Sequence, residues 1–258
     1  MIDSSRHFLP LNSIYQTLDA MEMNKLNVLH WHLSDDQSFP YESRIFPELS
    51  QKGAYLPRTH VYHWNDVSNV IEYARIRGIR VIPEFDTPGH TNSWGHGHPE
   101  ILTQCYDSKT HKPKQRQSTD TGLLDVTLNS TYKFMEQFFN ETIHHFPEYY
   151  IHVGGDEVNF QCWASNPAIQ KFMVEHHFGS DTKKLLNYYL QKLFIIIKQQ
   201  QQHLNKNNNG IIVWQELFDD NMTLPNNVWV HVWKGAQPWH KTPWEDEMKM
   251  VPKRVNDL

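Results

Sequence analysis

Tyr149-Tyr150-Ile151-His152-Val153-Gly154-Gly155-Asp156-Glu157 has the pattern of a short hydrophobic strand that ends in two glycines and two acids. Aromatic and β-branched residues favour extended structure, and the glycines then allow the backbone to turn. Four other segments also combine an apolar run with polar or aromatic residues at its end, and they are residues 26–33, 79–86, 210–216 and 228–233. We predict a strand in each segment, and a further strand at Met1 to Asp3.

Helical patterns lie between these strands. Residues 11–25 place Ile14, Leu18 and Met21 on one face, and residues 66–77 follow a predicted cap at Asn65 and stop at Gly78. Two further helices are predicted over residues 131–145 and 185–199. Strands that alternate with helices are typical of parallel βαβ units.

Apolar strands with polar carboxyl ends favour a (β/α)8 barrel of the TIM type, in which functional sites form from the loops after the strands. A doubly wound sheet is the alternative, but it needs a glycine-rich turn where this sequence has Asp3-Ser4-Ser5-Arg6. Six predicted strands do not close an eight-stranded barrel. We therefore predict an α/β fold truncated to about six β/α units, with residues 1–258 forming one incomplete catalytic domain that starts within the first strand.

Charge and composition exclude several classes of protein. The 258 residues include 24 Lys and Arg against 29 Asp and Glu, which gives a formal net charge of −5. Binders of nucleic acid or anionic membranes need clustered positive charge, so we expect neither partner. No apolar run approaches the roughly 20 residues that cross a bilayer. The 17 His and 9 Trp are side chains that often line sites for protons or sugar rings.

Glycosylation motifs suggest a secretory-pathway origin. Acceptor sequons begin at Asn129, Asn140 and Asn221, although such motifs also arise by chance. The two cysteines, Cys105 and Cys162, either pair or remain buried thiols. No basic and apolar leader begins the sequence, so this origin requires a leader that the sequence does not contain.

The sharpest candidate for catalysis is the acid pair Asp156-Glu157. Adjacent side chains on a strand point to opposite faces, so both acids enter one pocket only if the strand has ended before them. A buried carboxyl beside another acid has a raised pKa, which suits a general acid near neutral pH. A solvated acidic turn is the alternative.

Two other strand ends offer acids and a histidine. Asp86 ends the strand over residues 79–86 and His90 follows it, and Asp35 follows the strand over residues 26–33. His90 can hydrogen-bond a carboxylate and tune its proton affinity, whereas the alternative is a turn in which Asp86 caps the backbone.

Candidate sugar-binding residues stand after the first, fifth and sixth strands. Arg6 offers a planar guanidinium to a diol or carboxylate, or makes an ordinary structural ion pair. Trp214 and Trp233 offer flat apolar walls for a pyranose, or fill the core, and Glu216 follows Trp214.

A metal site is the competing interpretation of the second strand. His30 and His32 share a face and can bind a metal together, as in barrel metallohydrolases. Such enzymes need further ligands at later strand ends, where only His231 offers support. We therefore predict no metal and no cofactor, and we expect activity to survive chelation.

In the order of these motifs, the chain resembles the family-20 glycoside hydrolases, and within them the lysosomal β-N-acetylhexosaminidase α and β subunits. The similarity spans about residues 1 to 235, and its motifs are Asp3-Ser4-Ser5-Arg6-His7-Phe8, Val28-Leu29-His30-Trp31-His32-Leu33-Ser34-Asp35-Asp36-Gln37-Ser38-Phe39-Pro40, Pro83-Glu84-Phe85-Asp86-Thr87-Pro88-Gly89-His90-Thr91, His152-Val153-Gly154-Gly155-Asp156-Glu157, Val213-Trp214-Gln215-Glu216 and Val232-Trp233-Lys234.

The resemblance implies a retaining β-N-acetylhexosaminidase that removes terminal GlcNAc or GalNAc from glycoconjugates. In such enzymes the substrate's own acetamido group attacks the anomeric carbon and forms an oxazolinium ion. Glu157 would be the general acid and base, and Asp156 would orient the acetamido group. Asp35 and His90 would form a relay to Glu157. The remaining implied roles are sugar binding for Arg6, a pocket wall for Trp214 and Trp233, and a disulfide for Cys105 and Cys162.

The resemblance also implies a lysosomal or secreted protein with a glycan substrate, and a dimer in the full-length form. The family's last strands supply a Tyr, a Trp and a Glu to the sugar pocket, and residues 235–258 contain no matching motif. An inactive fragment or a weak sugar-binding module is therefore the alternative function.

Overall fold

A computed structural model describes residues 1–114, 122–204 and 209–234 of the chain. Within these ranges, six parallel strands form one sheet in the order β1-β2-β3-β4-β5-β6. Their bounds are Ile2–Asp3 for β1, Val28–His32 for β2, Arg80–Glu84 for β3, Tyr150–His152 for β4, Gly210–Trp214 for β5 and Val228–His231 for β6. Each strand pairs with the next strand along the chain, as in a β/α barrel, and the order never reverses as it does in a doubly wound sheet.

Helices connect the strands. The described helices are α1 Leu11–Met23, α2 Glu48–Gly53, α3 Trp64–Arg75, α4 Asn92–Gly97, α5 Asn129–His145, α6 Phe160–Ser165, α7 Pro167–Glu175, α8 Thr182–His203 and α9 Glu216–Asp219, with a 3₁₀ turn at Pro99–Ile101. The four helices predicted from the sequence correspond to α1, α3, α5 and α8. No membrane-spanning candidate occurs among the helices within the described ranges, because none combines sufficient length with sufficient apolarity.

The core lies between the sheet and these helices. Ile14, Leu18 and Met21 are all buried, as the periodicity of the first helix predicts. The predicted cap of α3 is wrong: the helix begins at Trp64, and the Asp66 carboxylate accepts the backbone N–H of His63 at 2.9 Å. The side chain that closes the first turn is therefore the acid inside the helix, not Asn65.

The strand register assembles the polar layer that forms the site. His32 at the end of β2 is paired with Glu84 at the end of β3, and Glu84 is paired with His152 at the end of β4. Parallel strands aligned in this way bring their last residues to one edge of the sheet. The predicted strands are correct in place and order but too long. The strand β4, for example, stops at His152, before the two glycines.

Three further predictions concern the outer parts of the chain. Cys105 and Cys162 form a disulfide, as the resemblance implies.

The three predicted glycosylation sites differ in exposure. Asn129 and Asn221 are exposed, whereas Asn140 is half-buried and the Thr142 of its sequon is fully buried in α5. Glycosylation stays a prediction at all three. Residues 235–258 lie outside the described ranges, so the domain predicted over residues 1–258 also stays a prediction.

Candidate active site

The acid pair lies on a turn that left-handed backbone conformations produce. Gly154 and Gly155 have φ angles of 72° and 97°, and Glu157 itself has a φ of 48°. Only glycine adopts such angles without strain, and at Gly154 a β-carbon would overlap the side chain of Asp86. After this turn, Asp156 lies against Asp86 just past the end of β3, whereas the Glu157 side chain reaches solvent.

Asp156 is in contact with a second, fully buried acid. Asp86 accepts the backbone N–H of Gly155 at 3.1 Å and shares a hydrogen bond with the Asp156 side chain. Burial and the negative charges of Asp156 and Glu84 hold the pKa of Asp86 well above its usual value. Burial also raises the pKa of Asp156. The contact raises the pKa of Asp86 and opposes the rise at Asp156, as expected for two carboxyl groups that share one proton.

His90 connects the acid pair to the end of the second strand. Its Nδ1 is 3.2 Å from Asp35 Oδ1, and its Nε2 is 3.5 Å from Glu157 Oε2 and 3.7 Å from Asp156 Oδ2. Burial alone would lower the pKa of His90, but the hydrogen bond to Asp35 and the surrounding carboxylates raise it to about 9. A protonated imidazole therefore stands between the carboxylates at neutral pH.

Arg6 is fixed on the opposite side of Asp35. Its guanidinium lies 2.6 Å from Asp35 Oδ2 and 2.7 Å from Asp3 Oδ2. Burial opposes ionisation of Asp35, but the hydrogen bonds from His32 and His90 and the charge of Arg6 hold its pKa well below the usual range. Arg6 remains partly exposed, so it both makes ion pairs and offers donors to a ligand.

The tryptophans fall into two environments. Trp214 is buried and donates from Nε1 to Glu84 Oε1 at 2.8 Å. Trp233 is 48% exposed and donates from Nε1 to Glu216 Oε2 at 2.9 Å. The ring centroids of the two tryptophans are 6.5 Å apart, so they form adjoining walls. Glu216 also pairs with Lys234 at 3.4 Å.

One expectation about the general acid is wrong. We expected a buried carboxyl, but the Glu157 side chain is 60% exposed. Glu157 has a positive φ and its side chain reaches solvent, whereas Asp86 is fully buried and the Asp156 side chain is 15% exposed.

The donor atoms at the strand ends do not fit a metal ion. His30, Glu84 and His152 lie close together, but His152 Nδ1 accepts the backbone N–H of Gly154 at 3.1 Å, and burial lowers the pKa of His152 to about 3. Its neutral ring therefore carries the proton on Nε2 and has no free lone pair. The other two groups of potential ligands share His90, whose raised pKa keeps both ring nitrogens protonated at neutral pH.

Sequence reasoning missed Glu84 and His152, and it did not use Asp86 beyond a capping role. Glu84 and Asp86 are two residues apart at a strand end, so their side chains point to the same face. Two acids on one face of an otherwise apolar strand were the available signal for an interior polar cluster.

Comparisons with known proteins give the family. The family model "Glycosyl hydrolase family 20, catalytic domain" matches residues 1–252. The chain is 55% identical over 235 residues to the β-hexosaminidase β subunit of Felis catus, covering 91% of this chain and 42% of that protein. It is 51% identical to the α subunit of Bos taurus over 92% of this chain and 42% of that protein. The chain thus spans about two fifths of the length of these relatives.

The fold is also similar to solved structures. The chitobiase of Flavobacterium johnsoniae matches with a TM-score of 0.78 and 28% identity, over 99% of this chain and 36% of that one. The β-N-acetylhexosaminidase of Bacteroides fragilis matches with the same TM-score of 0.78, at 24% identity, over 98% of this chain and 48% of that one. The predicted barrel fold is thereby confirmed, and the chain belongs to glycosyl hydrolase family 20.

Proposed function

We propose that this chain carries the catalytic centre of a retaining β-N-acetylhexosaminidase, which releases terminal GlcNAc or GalNAc from glycoconjugates. The observation that carries the proposal is the placement of Asp156 and Glu157 around His90, with His90 Nε2 3.5 Å from Glu157 and 3.7 Å from Asp156. The two neighbouring acids have different surroundings, which suits two different roles: Asp156 is largely shielded and lies against Asp86 and His90, whereas Glu157 is open to solvent, where a leaving group departs.

In the first step, the acetamido oxygen of the substrate attacks the anomeric carbon while the bond to the leaving oxygen breaks. Glu157 donates its proton to that oxygen, and the resulting carboxylate is stabilised by the protonated His90. Asp156 accepts a hydrogen bond from the acetamido N–H and balances the positive charge of the oxazolinium ion. No nucleophile from the protein is required.

In the second step, water attacks the anomeric carbon from the side of the departed group. Glu157, now a carboxylate, removes a proton from this water and returns to its starting form. The oxazolinium ring opens to the free acetamido sugar, and two inversions give net retention. Arg6 binds hydroxyl groups of the terminal sugar, and Trp214 and Trp233 form walls against its apolar faces.

The test is hydrolysis of para-nitrophenyl N-acetyl-β-glucosaminide by the purified chain and by Glu157→Gln and Asp156→Asn variants. Each variant should lose about 10²- to 10⁴-fold in kcat, the usual effect of removing a proton donor or a charge partner in the transition state. Nuclear magnetic resonance of the first product should show the β-anomer. Glu175→Gln is the matched control, because Glu175 is an exposed acid on α7 that pairs only loosely with Lys171 at 3.9 Å.

The outcomes separate the proposal from its alternative. A wild-type chain that binds GlcNAc, measured by tryptophan fluorescence, but hydrolyses nothing would reject the enzyme and support a sugar-binding module. An active chain whose Glu157→Gln variant turns over normally would reject the assignment of the acid.

Cellular location and assembly form part of the same proposal. We propose a lysosomal or secreted protein, because the curated relatives it matches are named β-hexosaminidase subunits and three sequons are present. The word subunit in those names is consistent with assembly, and we propose a dimer for the full-length protein. Removal of glycans with an endoglycosidase and sedimentation of the secreted protein test both points.

A further inference from the structure

Glu84 is fully buried at the end of β3, at the edge of the sheet that carries the proposed sugar site. We propose that Glu84 is a positioning residue whose carboxylate holds the indole of Trp214 and, through His32 and Asp35, the guanidinium of Arg6. Two walls of the site would then depend on one buried support. The inference rests on the proposed function, because that function identifies the sugar. The contacts of Glu84 are independent of it.

Three side chains contact the Glu84 carboxylate. Glu84 is fully buried at the end of β3. Oε1 accepts the indole N–H of Trp214 at 2.8 Å, and Oε2 accepts a hydrogen bond from His30 Nε2 at 2.5 Å. His32 Nδ1 forms an ion pair with the same oxygen at 2.9 Å. The carboxylate of Glu84 therefore links its own strand, β3, to residues of β2 and β5.

The contacts of Glu84 continue through His32 and Asp35 to Arg6 at the surface. The other nitrogen of His32, Nε2, is 2.9 Å from Asp35 Oδ2, and the guanidinium of Arg6 lies 2.6 Å from the same oxygen. Glu84, His32, Asp35 and Arg6 thus form an unbroken series of contacts from the barrel interior to the partly exposed guanidinium.

Charge alternates along this series. Burial alone would lower the pKa of His32, but Glu84 and Asp35 raise it to about 10. Burial would raise the pKa of Glu84, but the charge of His32 and the hydrogen bonds from His30 and His32 hold it well below its usual value. Two carboxylates and two cations therefore alternate from the buried Glu84 to the partly exposed Arg6. Removing the interior carboxylate leaves the adjacent cation half-compensated in a buried place, which is costly.

The geometric consequence falls on Trp214. Its ring packs against His231 with a centroid distance of 4.3 Å and against His152 at 4.6 Å. The hydrogen bond from its single N–H to Glu84 selects one of the two flips of the ring. An indole wall that rotates would misplace a sugar by an ångström or more, which is enough to lower the rate about 10²-fold.

The experiment compares Glu84→Gln with Glu148→Gln as a matched control. Glu148 precedes β4 and pairs with Arg80 at the start of β3, whereas Glu84 lies at the end of β3. Glu148 is a shielded carboxylate that receives a hydrogen bond from Arg80 Nε at 2.8 Å, at the start of the strand and away from the acids. We expect Glu84→Gln to lower kcat/KM for para-nitrophenyl N-acetyl-β-glucosaminide about 100-fold and to raise KM, whereas Glu148→Gln keeps the wild-type KM. A purely structural role would lower stability without changing KM in the folded protein.

Two spectroscopic readouts make the test independent of turnover. The indole N–H resonance of Trp214, assigned by its loss in Trp214→Phe, should shift in Glu84→Gln but not in Glu148→Gln. The titration midpoint of the His32 ring should fall by about one to three pH units in Glu84→Gln, because an opposite charge has been removed. The groups facing His32 that remain are Asp35, Arg6, His30 and His152.

Kinetics of the double variant separates positioning from folding. If Glu84 acts through Trp214, Glu84→Gln combined with Trp214→Phe should lose less in kcat/KM than the two single losses added as free energies. Unchanged resonances and a wild-type KM in Glu84→Gln would overturn the inference. An inactive wild-type chain that still shows both spectroscopic shifts would reject the proposed function and leave the positioning role of Glu84 standing.

Discussion

The side chains of Asp86 and Asp156 share a hydrogen bond, so two carboxyl groups that repel each other when both are ionised lie in contact. Asp86 is fully buried, accepts the Gly155 N–H, and has a pKa held well above its usual value. Asp156 also faces His90, whose Nε2 lies 3.7 Å from Asp156 Oδ2. A pair of acids that holds one proton can present a carboxylate of fixed orientation to a substrate.

This arrangement predicts a specific pH dependence of stability. The pKa of Asp86 is higher in the folded state than its value of 3.8 in an unfolded chain. Its stabilising contribution is therefore fully present below that value and is lost as pH rises through the raised folded pKa. Asp86→Asn keeps one donor and one acceptor but cannot ionise. In urea unfolding at several pH values, the stability of Asp86→Asn should fall less steeply with rising pH than that of the wild type. The slopes should differ by up to about 1.4 kcal/mol per pH unit, the value for one proton.

The control for this prediction is Asp19→Asn. Asp19 is an acid on α1 that pairs with Arg77 at 2.8 Å, away from the site. Its variant should reproduce the wild-type dependence. Identical slopes in Asp86→Asn and the wild type would mean that Asp86 is already ionised in the folded protein.

The turn before the acids predicts a contrast between two glycines. Gly154 and Gly179 both have positive φ angles, 72° and 63°, but a β-carbon at Gly154 meets Asp86 whereas one at Gly179 meets open space. Gly179→Ala should cost about 1 to 2 kcal/mol in the free energy of unfolding from backbone strain alone. Gly154→Ala should cost about 2 to 5 kcal/mol and also abolish turnover, because overlap is added to strain. Equal costs at the two positions would contradict the close approach.

The disulfide predicts a loss of stability on removal. Cys105 and Cys162 are 57 residues apart, and in the chain-entropy model their bond contributes about 4 kcal/mol by restricting the unfolded chain. The double variant Cys105→Ala, Cys162→Ala should lower the free energy of unfolding in urea by about that amount, and each single variant by a similar amount. Two reactive thiols in denatured, unreduced protein would show that the bond does not form.

Local sequence patterns carried most of the fold. The strands were visible because apolar runs ended in polar residues, and α1 was visible because Ile14, Leu18 and Met21 recur at helical spacing. The short helices α2, α4, α6 and α9 were not, since four to six residues are too few for a periodicity to appear. The end of β4 was predicted too late because a left-handed glycine cannot be recognised from its neighbours alone.

The site was predictable in its members more than in its arrangement. Asp35, His90, Asp156 and Glu157 were identified by their positions after strands, and the structure brings all four together. Burial was assigned to the wrong acid, because the direction of a side chain after a turn depends on dihedral angles that sequence spacing does not give. Glu84 was missed because its partners, His32 and Trp214, become neighbours only through the register of three strands.

The most direct test of the central claim is the dependence of the Glu157→Gln rate on the leaving group. A good leaving group such as dinitrophenol departs without protonation, whereas a sugar hydroxyl needs a proton from the general acid. We predict that Glu157→Gln retains most of its cleavage rate, in the presteady state, on the dinitrophenyl glycoside and loses about 10²- to 10⁴-fold on the poor leaving group. An equal loss on both substrates would contradict proton donation by Glu157.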